Sequence, residues 1–297
     1  MAEAFLRLRS FAAVETYRYV GMGSVYFADF AVFHATCGFQ TMVSIEDVGD
    51  PTVQERFRFN APLGDIVLNF SHSNVALPSL PWDLRTIAWM DYDGYLSREV
   101  LTDMKYLATK LSSGSVLAVT VNADLEDDED GDKARLDVLR ERLGEEKIPS
   151  RLMTAGPPKS KDVPSLFREI LTQELKDGLN DRNAGRPEGQ KYSSEQILFF
   201  KYEDGAPMLT LAWVFFDDGQ RPTFNQCDFS RLNYFKPGEE PLQIQVPLIT
   251  NAEVRAINRC GDGQSHRAED LPIPPGEVAK YERVRRYWPM FSPPELT

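Results

Sequence analysis

Gly21-Met22-Gly23 and Glu46 are the residues whose types and spacing first suggest chemistry. Two glycines separated by one residue let the backbone pass close to a ligand where a Cβ would intrude. Glu46 follows Gly23 by 23 positions. At that interval, after one helix and a second strand, a carboxylate can accept from the hydroxyls of a ribose. Asp91 and Asp93, next to Gly94, form a second constellation. Paired carboxylates at a strand end can orient an acceptor's hydroxyl or amine, or take its proton. The plainer alternative is a turn in which an Asp bonds nearby backbone amides. Only three histidines exist (His34, His72, His266), none near a cysteine in sequence, so no metal site is expected.

The surrounding pattern can position these residues. Tyr17 to Gly21 reads as a first strand, Val25 to Cys37 as an apolar helix and Met42 to Glu46 as a second strand. Asp29 is a carboxylate in that otherwise apolar helix and needs a hydrogen-bond partner, which points to a structural role. Phe27, Phe30, Phe33 and His34 read as core. Pro51 to Asn60 predicts a short helix, Asp65 to Phe70 a third strand and Leu84 to Asp91 a fourth. Ser97 to Leu111 has helical spacing, and valine-rich Ser115 to Val121 suits a buried parallel strand. A helix from Lys133 to Leu143, a turn at Ala155–Pro158 and a longer helix from near Pro164 come next. Asn180 to Tyr192 reads as an exposed loop. Gln196–Tyr202 and Met208–Phe216, joined through Gly205, predict a hairpin. Later, Thr250 with Glu253 forms a capping-box pattern, and Glu277 to Tyr287 reads as a last helix.

The fold class expected is α/β, a Rossmann-like, mostly parallel sheet ending in an antiparallel hairpin. Residues 1–123 form the first part of the core, 124–192 an acidic and helical insertion, and 193–218 the closing hairpin. Residues 219–297 form a C-terminal appendage with two short helices.

Composition narrows the classes. The net charge is −12, and Asp124 to Glu146 contributes 11 acids against 4 basic residues, so the acidity reads as a solvated loop. Such a chain has no general pull on phosphate backbones. Lys280, Arg283, Arg285 and Arg286 face only Glu277 and Glu282 in their stretch. This basic C-terminal helix is a candidate contact for a protein or nucleic-acid partner. Tyr281, Tyr287 and Trp288 could stack on bases there or pack the helix onto its domain. No run approaches the length of a membrane span, and the start lacks a signal peptide's apolar core. Cys37, Cys227 and Cys260 are odd in number and scattered. A cytoplasmic location with no membrane contact is expected.

Two features separate the nucleotide ligands. A dinucleotide site wants a third small residue three positions after Gly23, where Tyr26 stands. Val25-Tyr26-Phe27 also crowds the helix start that a pyrophosphate would use. The order of strands, with its late hairpin, resembles the class I S-adenosylmethionine-dependent methyltransferases over about residues 17 to 217. Tyr19 to Phe30, Met42 to Glu46 and Trp89 to Gly94 are similar to bacterial putative O-methyltransferases.

The resemblance implies S-adenosylmethionine as cofactor and methyl transfer to an oxygen or nitrogen of an unidentified acceptor. Gly21, Gly23 and Ser24 would hold the amino acid end, and Glu46 the ribose. His72 and Ser73 stand in the region that faces adenine. Asp91 and Asp93 would be catalytic. The chain departs from the family pattern at Tyr19, where an acid is usual, and has two of the usual three glycines. A second reading follows from that departure: a catalytically degenerate methyltransferase fold serving as a protein- or nucleic-acid-binding scaffold, for instance in a bacterial defence complex. A nicotinamide-dependent oxidoreductase is the third.

Overall fold

The computed structural model describes residues 1–125, 134–152, 158–203, 205–260 and 271–288, and element labels run over these. The chain divides into two compact units, Met1–Leu242 and Gln243–Thr297.

The first unit is built on strands β1 (Arg18–Gly21), β2 (Thr41–Ile45), β3 (Val67–Asn69), β4 (Thr86–Tyr95), β5 (Val116–Asn122), β6 (Tyr192–Glu203) and β7 (Pro207–Asp217). With the two-residue β8 (Leu242–Gln243), the sheet order is β3-β2-β1-β4-β5-β7-β6-β8. Pairing is parallel from β3 to β5. β7 inserts antiparallel between β5 and β6. The expected parallel sheet with a terminal hairpin is therefore present. β1 has β2 on one side and β4 on the other, so the chain switches direction across the sheet at β1. Ligands of open α/β sheets bind beyond the carboxyl ends of the strands at such a switch.

Helices α1 (Ala2–Arg7), α2 (Ala28–Cys37), α3 (Pro51–Asn60), α4 (Ser73–Ser79), α5 (Arg98–Lys110), α6 (Arg135–Leu143) and α7 (Val163–Asn183) flank this sheet. Side chains of successive strand residues alternate between faces. Val20, Val43, Ala88, Met90, Leu117 and Val119 point to one face and pack with α4, α5, α6 and α7. On the opposite face Tyr19 meets Phe30, Phe33 and Phe39, Phe5 of α1 meets Phe33, and Phe33 meets Trp89.

Local signals set most boundaries. Asp50 caps α3, accepting from Thr52 N at 2.7 Å, and Ser97 caps α5. Several boundaries differ from expectation. α2 starts at Ala28, not Val25, because Phe27 sits in the left-handed region at φ 48° and cannot continue a helix. The loop expected from Asn180 begins only after Asn183. The Asn183 amide ties the end of α7 to the start of β6, donating to Tyr192 O at 2.8 Å and accepting from Tyr192 N at 2.7 Å. The Arg182 guanidinium lies 3.4 Å from the Tyr192 ring centroid. β4 runs on to Tyr95 through a register shift after Asp91. Ser73 and Asn74 begin α4, and His72 is its N-cap. The helix expected from Lys133 starts at Arg135; Lys133 and most of the expected turn, 155–157, lie outside the described residues. After β7, a short helix α8 (Arg221–Gln226) precedes the second unit.

In the second unit, α9 (Asn251–Arg259) starts with the expected capping box: Glu253 N donates to Thr250 Oγ1 and Thr250 N to Glu253 Oε2. α10 (Pro275–Val284) continues as a 3-10 turn over Arg285–Tyr287. Tyr281 is buried with Val254, Ile257, Ile273 and Val278, and its hydroxyl donates to Asn258. Trp288 packs edge-on against it. Tyr281 is thus a packing residue within this unit. Among the described residues, no helix is long and apolar enough to cross a membrane.

Candidate functional site

β1 ends at Gly21, and the chain turns through Met22–Phe27 into α2. A Cβ built at Gly21 would lie 2.8 Å from the Tyr19 hydroxyl. One at Gly23 would lie 2.7 Å from Phe27, 2.8 Å from Phe30 and 2.9 Å from Ser44 Oγ. Both glycines are therefore demanded by close approach. Ser24 and Phe27 occupy the left-handed region at φ 49° and 48°, a strained conformation for side-chain-bearing residues that costs about 1 kcal/mol or more each. Between them Tyr26 is 81% exposed, and Ser24 Oγ accepts from its N–H.

The register brings β2 and β4 into line with this turn. Gly21 pairs with Ser44 on one side and Trp89 on the other. Paired residues of parallel strands share a face, so Ser44, Glu46, Trp89 and Asp91 lie on the α2 side. Gly23 N donates to Glu46 Oε1 at 3.0 Å and to Ser44 Oγ at 3.1 Å. Ser44 Oγ donates to the same carboxylate oxygen at 2.5 Å. Glu46 is 6% exposed. Burial pushes its carboxyl above the ordinary range, against the pull of Ser44 and Gly23, and Asp29 adds to the rise.

Asp29 enters from the first turn of α2, where a negative charge is favoured by the helix dipole. Its partner is the Tyr19 hydroxyl, which donates to Oδ2. Burial raises the Asp29 carboxyl. Tyr19 is fully buried; burial, then Asp29, and then Asp91 hold its phenol well above the usual range, so it stays a proton donor. Asp29, Glu46 and Asp91 therefore act on one another or on Tyr19 at the carboxyl ends of β1, β2 and β4.

Asp91 and Asp93 are exposed at the irregular end of β4. Tyr92 between them turns to the other face, donating to Asp103 Oδ2 of α5 at 2.7 Å. Ser73 Oγ donates to the same oxygen at 2.5 Å. Asp103 is 2% exposed, and burial raises its carboxyl. The His72 ring accepts from Asn74 N at the start of α4 and lies 3.7 Å from Glu99.

The structure thus gathers Gly21, Gly23, Glu46 and Asp91 around one turn. It commits the Ser73 hydroxyl to Asp103 and gives the His72 ring a capping position. Tyr19, Ser44 and Asp103 are additions. Ser44 had a sequence signal: it stands two residues before Glu46, hence on the same face of the strand. Among the described residues, no group of three or more His, Cys, Asp or Glu side chains is placed to hold a metal ion.

The sequence profile of a family described as "Putative O-methyltransferase" matches residues 1–296. The chain belongs to that family. It is an enzyme of the methyl-transferring class, which leaves the scaffold and nicotinamide readings without support. Among solved structures, this methyltransferase is similar to the O-methyltransferase TomG of Streptomyces achromogenes, crystallised with S-adenosylmethionine. The two are 13% identical over 72% of this chain and 78% of that one, with a TM-score of 0.36. It is also similar to an O-methyltransferase of Bacillus cereus crystallised with S-adenosylhomocysteine, at 10% identity over 72% and 80% of the chains and a TM-score of 0.36. For a putative O-methyltransferase of Klebsiella pneumoniae the figures are 12%, 72%, 79% and 0.36. No curated protein matches the methyltransferase in sequence.

Proposed function

We propose that the chain transfers a methyl group from S-adenosylmethionine to an oxygen or nitrogen of an acceptor yet to be identified, with oxygen favoured by the family's description. The observation that carries this reading is the Gly23–Ser44–Glu46 lock. Among the described residues, both hydrogen bonds accepted by the Glu46 carboxylate fall on Oε1. Oε2 is the oxygen suited to accept from a ribose diol. The donor set fits the cofactor in charge as well. Asp29 acts on Glu46, and Asp91 acts on Tyr19, at the ends of these strands; a ligand bearing cationic groups offsets that local negative charge.

When bound, the cofactor supplies a methyl group activated on a sulfonium. The protein's part is placement and proton handling. Gly21 and Gly23 let the backbone approach the amino acid end, and Ser24 offers its main-chain groups beside them. Glu46 fixes the ribose. Asp91, on the same face, accepts the proton that the attacking hydroxyl or amine must lose. Asp93 orients the acceptor. Most of the rate gain then comes from holding the acceptor in line with the transferred carbon. The start of α4, with His72 and the Ser73 main chain, borders the adenine.

Isothermal titration with S-adenosylmethionine, S-adenosylhomocysteine and NADH tests this. Binding of the first two and not the third is expected. A folded chain that binds neither adenosyl ligand, or prefers NADH, overturns it.

A further inference from the structure

The function just proposed gives Asp29 no ligand group of its own to contact, yet the fold holds this carboxylate firmly beside the turn. Its helix starts immediately after the left-handed Phe27, so the side chain is brought back towards the end of β1. The hydroxyl that holds it belongs to Tyr19, whose ring is caged by Phe30 at 5.0 Å, Phe33 at 5.2 Å and Phe39 at 5.8 Å between centroids. These three rings pack against it, and the hydroxyl stands 2.8 Å from the place a Gly21 Cβ would take. The Tyr19–Asp29 pair therefore lies directly against the glycine backbone.

This arrangement is costly if it serves only to start a helix. Asp29 is half-buried, and its charge is felt by Glu46. Asp91 acts on the same Tyr19 hydroxyl. The Tyr19 phenol and the backbone N–H groups of Phe30 and Asp29 itself hydrogen-bond the Asp29 carboxylate, yet burial still outweighs them. A cation placed at the turn would compensate the remainder.

We propose that Asp29, held in place by Tyr19, receives the α-ammonium group of the cofactor's amino acid arm. Asp29 is then a ligand-binding residue supplied by the helix, and Tyr19 is its positioning residue. The inference rests on the reading of S-adenosylmethionine as cofactor and on the glycine turn as the seat of the amino acid end.

Three ligands separate the possibilities. S-adenosylmethionine and S-adenosylhomocysteine carry the ammonium, whereas 5′-methylthioadenosine has the nucleoside and no amino acid arm. Titration calorimetry on the full chain is run with wild type, D29N and Y19F, each checked for folding by circular dichroism and thermal unfolding. The expected result is a loss of about tenfold or more in D29N affinity for the first two ligands, with methylthioadenosine changed by less than about twofold. Y19F should show a smaller loss with the same selectivity, and it carries the test alone should D29N not fold, since it retains the caged ring. Equal losses on all three ligands, or no loss on any, overturn the proposal. A wild-type chain that binds none of the three overturns the cofactor reading itself, which separates that failure from this one.

Discussion

The backbone N–H of Gly23 donates to Glu46 Oε1 at 3.0 Å, joining the turn after β1 to the end of β2. This bond sets the position of the carboxylate before any ligand arrives. Replacing Glu46 by alanine removes the proposed ribose acceptor and leaves Gly23 N with Ser44 Oγ as its partner. A hydrogen bond to a charged group contributes about 1.5–3 kcal/mol, so E46A should weaken S-adenosylhomocysteine binding by about tenfold to a hundredfold. Titration calorimetry reads this directly, and unchanged affinity would remove Glu46 from the site.

The glycines make a stability prediction. A Cβ at Gly23 meets three groups below 3 Å, two of them rings packed in the core. G23A should lower stability by about 1–3 kcal/mol, the usual range for overpacking. Gly94 has nothing within 4 Å of a built Cβ, so G94A should stay within about 0.5 kcal/mol of wild type. Urea unfolding of the two variants makes the comparison. Equal effects would show that the turn is looser than described.

These positions differ in how far they could be read from the chain. Gly21, Gly23 and Glu46 are legible because their interval follows from one helix and two strands, and because alternation puts Glu46 on a known face. Tyr19 and Asp29 are not. Tyr19 stands out in sequence only as a departure, and Asp29 only as a polar residue in an apolar helix. Their bond depends on where α2 starts, which the left-handed Phe27 decides and which no periodicity shows. The Ser73–Asp103–Tyr92 cluster links three elements up to 30 residues apart, so it exists only once α4, α5 and β4 have packed. The end of α7 escaped for a similar reason: Asn183 holds it through Tyr192, across a polar stretch that looks like loop by composition.

Asp103 gives a pH prediction. Burial raises its folded carboxyl above the ordinary 3.8, with Glu99 adding to the rise and Ser73, Tyr92 and His72 opposing it. A carboxyl raised on folding binds its proton more tightly in the native state. Its contribution to stability is therefore full below the ordinary value and is lost as pH rises through the folded one. D103N carries no titrating group there. The stability of wild type minus that of D103N should fall as pH rises from about 4 and then level off. Thermal unfolding of both proteins across that range tests it. A flat difference, or one that grows with pH, contradicts the assignment.

Asp91 gives a kinetic one. If it takes the acceptor's proton, D91N should slow methyl transfer by about 10²–10⁴-fold while leaving cofactor affinity within about threefold. The assay follows labelled methyl transfer from S-adenosylmethionine to whichever member of a panel of hydroxyl and amine compounds the wild type uses. Full activity in D91N would move the base elsewhere. A D93N variant, run in parallel, should raise KM more than it lowers kcat, as befits a group that orients the acceptor.

The central claim is that the Gly21–Gly23 turn and Glu46 together hold an adenosyl cofactor. A crystal structure of the S-adenosylhomocysteine complex tests it most directly. The predicted result places both ribose hydroxyls within hydrogen-bond distance of the Glu46 carboxylate, about 2.6–3.2 Å, with the amino acid arm against Gly21 and Gly23. A nucleoside seated away from Glu46, or an arm that does not touch the turn, would contradict it.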